Sequence, residues 1–175
     1  MKIWVRGVSC SGKSTLAKKL AEELNIKHIE LDHLHWLPGW QERDKHEFAQ
    51  LVRAEISHGH WIIDGNYSKI HQLVNFKQDL IVWLDYPLPV LLWRCTKRTL
   101  GRICFKKKVC NGNIENLSSL FSRDSLYLWI LKTYQKRKND LKTLIEKNEK
   151  VCVIRSQKDI DQLILKLKLL DFANL

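Results

Sequence analysis

Residues 3–20 read IWVRGVSCSGKSTLAKKL. Ile3 to Val8 is a short apolar run of the buried-strand type. From Lys13 to about Leu24 the apolar residues Leu16, Ala17, Leu20 and Leu24 recur at helical spacing. Between them, residues 7–14 (GVSCSGKS) satisfy G-x-x-x-x-G-K-[ST], in the strand–loop–helix setting that gives this pattern its meaning. Gly7 and Gly12 let the backbone turn its N–H groups inward around phosphate oxygens. The helix opening at Lys13 aims its positive end at the same point. Lys13 is placed to reach the β- and γ-phosphates of ATP, and the Ser14 hydroxyl to ligate Mg²⁺. Ser9, Cys10 and Ser11 complete the cradle, and Thr15 adds a further phosphate contact.

Further along, His28–Leu31 reads as a second strand ending at Asp32, and Asp44–Ser57 as a helix with Phe48, Leu51, Val52 and Ile56 on one face. Trp61–Ile63 is a third strand stopped by Asp64-Gly65-Asn66, and Leu80–Leu84 a fourth stopped by Asp85 and Pro87. Helices follow from about Pro89 to Leu100 and over Leu117–Lys147. Val151–Ile154 is a fifth strand and Asp159–Leu170 a last helix. Strands alternating with helices predict an α/β fold, a parallel sheet covered by helices on both faces. Ligands then bind beyond the carboxyl ends of the strands, so Asp32, Asp64 and Asp85 are expected to share one crevice.

Asp64 is the candidate partner of Ser14 for Mg²⁺; the competing reading is a turn-forming Asp-Gly. Asp32 is a candidate proton acceptor for an incoming hydroxyl or a metal ligand, against a turn or helix cap. Asp85 reads better as a turn or cap, and Glu30 as a surface residue. His33, His35, Trp36 and Trp40 surround Asp32 in HLHWLPGW (33–40), a candidate acceptor wall or ordinary packing.

Together these stretches resemble a family: the adenylate-kinase-like P-loop proteins, also labelled topology modulation proteins. The matching segments run in order over nearly the whole chain: GVSCSGKSTLAKKLA, ELDHLHWLPGW, WIIDGNYSKI, LIVWLDYPLP, WRCTKRTLGR, CNGNIEN and FSRDSLYLWILKTYQKRK. The resemblance implies a three-layer P-loop NTPase fold with a five-stranded nucleoside-monophosphate-kinase-like core, ATP and Mg²⁺ as cofactors, and phosphotransferase activity. It supplies no acceptor. Two positions depart from the family's pattern, His71 and Ile114, where an arginine is expected.

The net charge of +11 is concentrated in one segment. Residues 1–93 carry 11 basic and 11 acidic side chains, whereas residues 94–150 carry 15 against 5. Arg94, Arg98 and Arg102 are four apart and share a helical face. In kinases of the type resembled, such arginines lead into a lid and clamp the transferring phosphoryl group. Arg98 and Arg102 are the lid candidates, with Arg123 on its return side and Arg94 deeper in the helix. The lid itself is expected at about 99–118, with Lys106–Lys108 solvated and Asn111-Gly112-Asn113 making a tight reversal. Arg155 and Ser156, after the last strand, are candidates for contact with adenine or ribose.

The competing function is a nucleic-acid-associated ATP-binding protein that uses the basic segment. No nucleic-acid-binding module is recognisable, however. A GTPase is disfavoured because no Asn-Lys-x-Asp occurs, and larger motors need more chain than 175 residues. Five cysteines without a C-x-x-C argue against a disulfide framework and for a reducing, cytoplasmic setting. Cys104 and Cys110 are only half of a zinc site. No run approaches a membrane span and MKIWVRG is not a signal peptide, so no membrane partner is expected. The sequence therefore predicts one P-loop kinase-like domain over 1–175, acting on a small-molecule or nucleotide acceptor.

Overall fold

A computed structural model describes residues 1–57, 59–105, 108–114 and 125–172. Its centre is a five-stranded parallel sheet built from β1 (Lys2–Gly7), β2 (Lys27–Glu30), β5 (Trp61–Asp64), β6 (Leu80–Leu84) and β9 (Val151–Ile154), in the order β2-β5-β1-β6-β9. All five predicted strands are present, and β1 is central. Parallel strands covered on both faces need apolar side chains on both. Accordingly Ile3, Trp4, Val5, Ile62, Ile63, Ile81, Val82 and Trp83 are all buried.

Successive residues of a strand point to opposite faces, so β1 feeds two cores. Ile3 and Val5 join Leu16, Leu20, Leu91, Ile154 and Leu167 on one face, beneath α1 (Lys13–Leu24), α5 (Leu88–Cys104) and the terminal α7 (Gln157–Phe172). Trp4 joins Ile29, Phe48, Val52, Trp61 and Ile63 on the other, beneath α3 (Lys45–Ile56) and α4 (Ser68–Val74). Each fully buried tryptophan withdraws on the order of 200 Å², roughly 5 kcal/mol gross, before the entropy of ordering is charged against it. The result is the predicted three-layer α/β arrangement.

The helix boundaries follow local chemistry. Asp44 caps α3 by accepting from the backbone N–H groups of His46 at 2.8 Å and Glu47 at 3.2 Å. Those two bonds hold its carboxyl below the usual range. Asn25 and Asn75 end α1 and α4 in the left-handed conformation that asparagine tolerates. The helix expected to stop near Leu100 continues to Cys104, because Gly101 sits in an open helical position and only Phe105 leaves the turn. Of the one or two helices expected over Leu117–Lys147, the described residues hold α6 (Leu126–Glu146); residues 117–124 of that range lie outside them.

Four further features add to the strands and helices read from the sequence. A single-turn α2 (Leu31–His35) follows β2. Two short antiparallel hairpins also form, β3 (Trp36–Leu37) with β4 (Gln41–Glu42), and β7 (Lys108–Val109) with β8 (Asn113–Ile114). Finally Arg6, on central strand β1, is buried between Trp4 and Trp83, its guanidinium 4.4 Å and 4.9 Å from the two rings. Burial and then the charge of Arg137 lower its pKa to about 10, against the pull of Asp140 at 3.9 Å.

Candidate active site

The phosphate loop leaves β1 at Gly7, whose φ of +146° and crowded surroundings only glycine accepts. Asn66 clamps this glycine from the end of β5. Its side-chain amide donates to the Gly7 carbonyl at 2.6 Å and its oxygen receives the Gly7 N–H at 3.4 Å. The loop closes on itself through Ser11 N–H to the Val8 carbonyl, 3.2 Å. From the other side Arg94 donates to the Ser11 carbonyl at 2.9 Å, its guanidinium 4.0 Å from the centre of the Tyr86 ring. Cys10 at φ 63° and Gly12 at φ 97° complete the turn, and α1 begins at Lys13. The first N–H groups of α1 are thereby directed outward over the loop, where an anion is favoured.

Lys13 bends over the loop and donates to the Val8 carbonyl at 3.1 Å. Burial lowers its pKa, while the negative charges of Asp32 and Asp64 oppose that shift and Arg98 adds to it. One ammonium group thus feels both predicted carboxylates and one predicted lid arginine. Asp32, Asp64 and Arg98, far apart in sequence, all lie close enough to Lys13 for their charges to act on it.

Asp64 ends β5, level with Val5 of β1, and is 2% exposed. Its Oδ1 lies 3.7 Å from His28 Nε2, and its Oδ2 has no hydrogen-bond partner. A buried carboxylate oxygen without a partner is costly unless a ligand meets it. Ser14 and Thr15 are exposed at the start of α1 and line a cleft of about 480 Å³ with Lys18, His28 and Glu30. Burial, then the charge of Asp64, raises Glu30 above the usual carboxylate range, and Asp32 contributes in the same direction. Glu30 is therefore part of the charged site rather than the plain surface residue expected. A Ser14 hydroxyl and an orphaned Asp64 oxygen are hard oxygen donors of the kind Mg²⁺ takes, alongside water and phosphate. Among the described residues no group of three His, Cys, Asp or Glu side chains is arranged to hold a metal ion.

Asp32 lies in the first turn of α2, one step past the strand end that the sequence suggested. It is exposed, and the Tyr67 hydroxyl donates to it at 2.7 Å. Burial and the neighbouring Asp32 charge raise the Tyr67 pKa, so the phenol stays protonated and keeps donating. Beside it, His35 packs among Trp36, Phe48 and Tyr67, with ring centroids 4.8–5.1 Å apart. Burial lowers the His35 pKa. Trp36 and Trp40 meet edge to face at 5.8 Å.

Asp85 does not join this crevice. Lys138 and Arg155 bind its two oxygens, tying the end of β6 to α6 and to the end of β9. Burial works against ionisation there, but these hydrogen bonds hold Asp85 below its usual range. Of the three aspartates expected to share one crevice, Asp64 ends its strand, Asp32 lies in α2, and Asp85 is held in ion pairs. Arg155 is accordingly engaged with Asp85, and the N–H groups of Arg155 and Ser156 cap onto Asp159 at 2.7 Å and 2.9 Å.

The basic segment divides by task. Arg94 braces the loop, as above. Arg98, one turn on, is half-buried and close enough to depress Lys13; Arg102 lies in the last turn of α5. Arg123, Lys106 and Lys107 lie outside the described residues. The β7–β8 hairpin docks on the β3–β4 hairpin through its Asn-Gly-Asn turn. Asn111 donates to the carbonyls of His33 at 2.8 Å and Trp36 at 2.6 Å. Asn113, buried, donates to Leu37 O at 3.0 Å and Cys110 O at 2.7 Å and receives the Trp40 N–H at 3.0 Å. The Trp40 indole reaches the Ile114 carbonyl at 3.4 Å. Part of the predicted lid thus sits on the segment carrying Asp32. Replacing Asn113 by Ala removes every one of its side-chain bonds and leaves buried main-chain groups unpaired. It should cost about 1–3 kcal/mol of docking, read as faster amide exchange at Trp40 and Ile114 with exchange in the central sheet unchanged.

His71 and Ile114, the two positions where the resemblance led an arginine to be expected, are placed as follows. His71 stacks on Trp4 at 4.8 Å and meets Phe76 edge-on at 4.6 Å, closing the aromatic core under α4. Ile114 contributes its backbone to the hairpin contact while its side chain is partly exposed. Asn66, Tyr67 and the paired asparagines were not singled out as site residues from sequence. Their only signal was the quoted DGNY and NGN turns, which say nothing about distant partners.

The class defined by this sheet and loop is the α/β P-loop fold. No protein-family model matches the chain, and no curated protein matches it. Among solved structures it is similar to the crystal structure of shikimate kinase from Aquifex aeolicus vf5. The likeness covers 99% of this chain and 98% of that one, at 16% identity and a TM-score of 0.49. Among the described residues no helix is long and apolar enough to cross a membrane.

Proposed function

We propose that this protein is an ATP- and Mg²⁺-dependent phosphotransferase of adenylate-kinase-like type, moving the γ-phosphoryl of ATP to a small-molecule or nucleotide acceptor. We take it as a single kinase-like domain over 1–175 with a lid at about 99–118, working in the cytoplasm. The observation that carries the reading is the convergence on Lys13: a braced phosphate loop, a buried carboxylate with an orphaned oxygen, and a tyrosine-oriented carboxylate on the far side.

In this reading the loop residues Gly7, Ser9, Cys10, Ser11 and Gly12 form the phosphate cradle, and Thr15 extends it. Lys13 neutralises the β/γ bridge. Ser14 and Asp64 hold Mg²⁺, which when bound screens charge on the transferring group. Asp32, oriented by Tyr67, holds the acceptor hydroxyl and takes its proton. Arg98, Arg102 and Arg123 close over the transferring oxygens, where bidentate donors act most strongly as charge develops.

The rival, a nucleic-acid-associated ATP-binding protein, needs the basic segment to be available. Part of it is committed internally instead: Arg94 to Ser11, Arg137 to Asp140 and Lys138 to Asp85.

The test is ATP-dependent phosphorylation across a panel of nucleoside monophosphates and small hydroxylated compounds, with Asp32→Asn alongside. Asp32→Asn should cut turnover on the phosphorylated acceptor about 10²–10⁴-fold, the usual span for a positioned base, while ATP affinity changes less than about threefold. Equal loss of both removes the role given to Asp32. A panel with no acceptor, combined with salt-dependent DNA binding, replaces the kinase reading with its rival.

A further inference from the structure

The loop's third variable position is a cysteine, and it does not face the phosphate cradle. Cys10 turns its side chain inward, 9% exposed, into the core cluster that contains Cys95 of α5, which is fully buried. The two thiols share that cluster and are close enough to interact. An independent contact fixes the same juxtaposition one residue over on each side, since Arg94 holds the Ser11 carbonyl at 2.9 Å. Residues 10 and 11 of the loop are thereby pinned against residues 94 and 95 of the helix.

We propose that Cys10 and Cys95 form an oxidation-sensitive dithiol, a modification site that hydroperoxides convert into a disulfide and that thiols restore. The pair is asymmetric. Lys13 lies close enough to interact with the Cys10 sulfur, and a neighbouring cation favours the thiolate. Its interaction with Cys10, with burial, pushes the Cys95 thiol up, so Cys95 keeps its proton. Cys10 is the nucleophile and Cys95 the resolving thiol.

In the first step the Cys10 thiolate attacks the peroxide oxygen. The O–O bond breaks, the second oxygen leaves as water or an alcohol after taking a proton, and Cys10 becomes a sulfenic acid. In the second, the Cys95 sulfur attacks the Cys10 sulfur and the S–O bond breaks. The departing hydroxide leaves as water with the Cys95 proton. Two thiols and one hydroperoxide give one disulfide and two molecules of water, or one of water and one of alcohol.

The consequence falls on the loop. A disulfide brings the sulfurs to about 2.05 Å with a fixed dihedral. Cys10 is already held at φ 63°, where a side-chain-bearing residue is strained. Drawing it toward α5 distorts the adjoining Ser11–Gly12 turn that shapes the phosphate cradle. The site deepens the nucleotide-binding reading and rests on it for its effect, though not for its chemistry.

The experiment treats the full chain with hydrogen peroxide and digests it without reduction for mass spectrometry. In parallel, ATP affinity is followed before and after dithiothreitol. The expected result is a Cys10–Cys95 linked peptide pair, at least a tenfold weaker ATP affinity, recovery on reduction, and slower linkage when ATP is present. Cys95→Ala and Cys95→Ser, at a position outside the nucleotide site, should bind ATP normally and lose both the linkage and the reversible weakening. No linked pair in the wild type overturns the proposal. So does reversible weakening of equal size in the Cys95 variants, which would place the effect on Cys10 alone. Linkage in a protein that transfers no phosphoryl group leaves the dithiol standing and removes the kinase reading. Normal transfer without linkage does the reverse.

Discussion

Lys13→Ala should lower phosphoryl transfer at saturating ATP by about 10³-fold or more, the scale of losing one preorganised charge at a developing anion. It should do so with little change in folding stability. The ammonium is desolvated, and Asp32 and Asp64 offset that penalty only in part. Removing it therefore deletes a costly buried charge along with a single bond to Val8. Lys13→Arg should also fail, because a planar fork does not fit a cradle shaped for a point charge. The measurement is turnover and melting temperature on the same preparations. Undiminished turnover in Lys13→Ala would remove the mechanism, whatever the fold.

Gly7→Ala should be the more damaging change to the molecule as a whole. A Cβ at Gly7 would lie 2.7 Å from the Leu84 carbonyl oxygen and 3.0 Å from both Leu84 Cβ and Ser11 Oγ. The backbone of the next strand cannot yield without breaking its pairing with β1 and β9. Crowding and strain together should cost about 2–4 kcal/mol, a fall in melting temperature of roughly 5–15 °C for a chain of this size. The Asn66 clamp would be lost with it. Gly12 is the internal control: its φ of 97° is also positive, but nothing lies within 4 Å of an added Cβ. Gly12→Ala should cost only the backbone strain, about 1 kcal/mol. Equal melting temperatures for the two variants would refute the crowding argument.

These two residues were readable in the sequence because their chemistry is local. A loop of eight residues carries its own glycines, lysine and hydroxyl in fixed order, and the strand before it and helix after it show in periodicity. The five core strands were legible for a similar reason: each is a short apolar run ended by a turn. Asp64 was found as a strand-end carboxylate, and its burial agrees with that reading. Asp85 was read as a turn or cap residue rather than a site residue, but its partners, Lys138 and Arg155, could not be named because they are 53 and 70 residues away. Tyr67 and Asn66 show the same limit from the other side. Each sits in a turn whose shape the sequence announces, but whose hydrogen bonds go to Asp32 and Gly7 through the folding of the whole sheet. The end of α5 was placed near Leu100, four residues early; Gly101 lies within the helix, and nothing is within 4 Å of a Cβ added there.

Helix α5 touches more of the site than any motif indicates. Around its middle Arg94 grips the phosphate loop, Cys95 shares a buried cluster with Cys10, and Thr96 receives the Tyr127 hydroxyl from α6 at 2.9 Å. Seventeen residues of α-helix make a rod of about 25 Å. Such a rod pivots rather than bends. Through Arg94 on Ser11 and Tyr127 on Thr96, that rod fastens the phosphate loop to α6, two parts of the chain that share no motif.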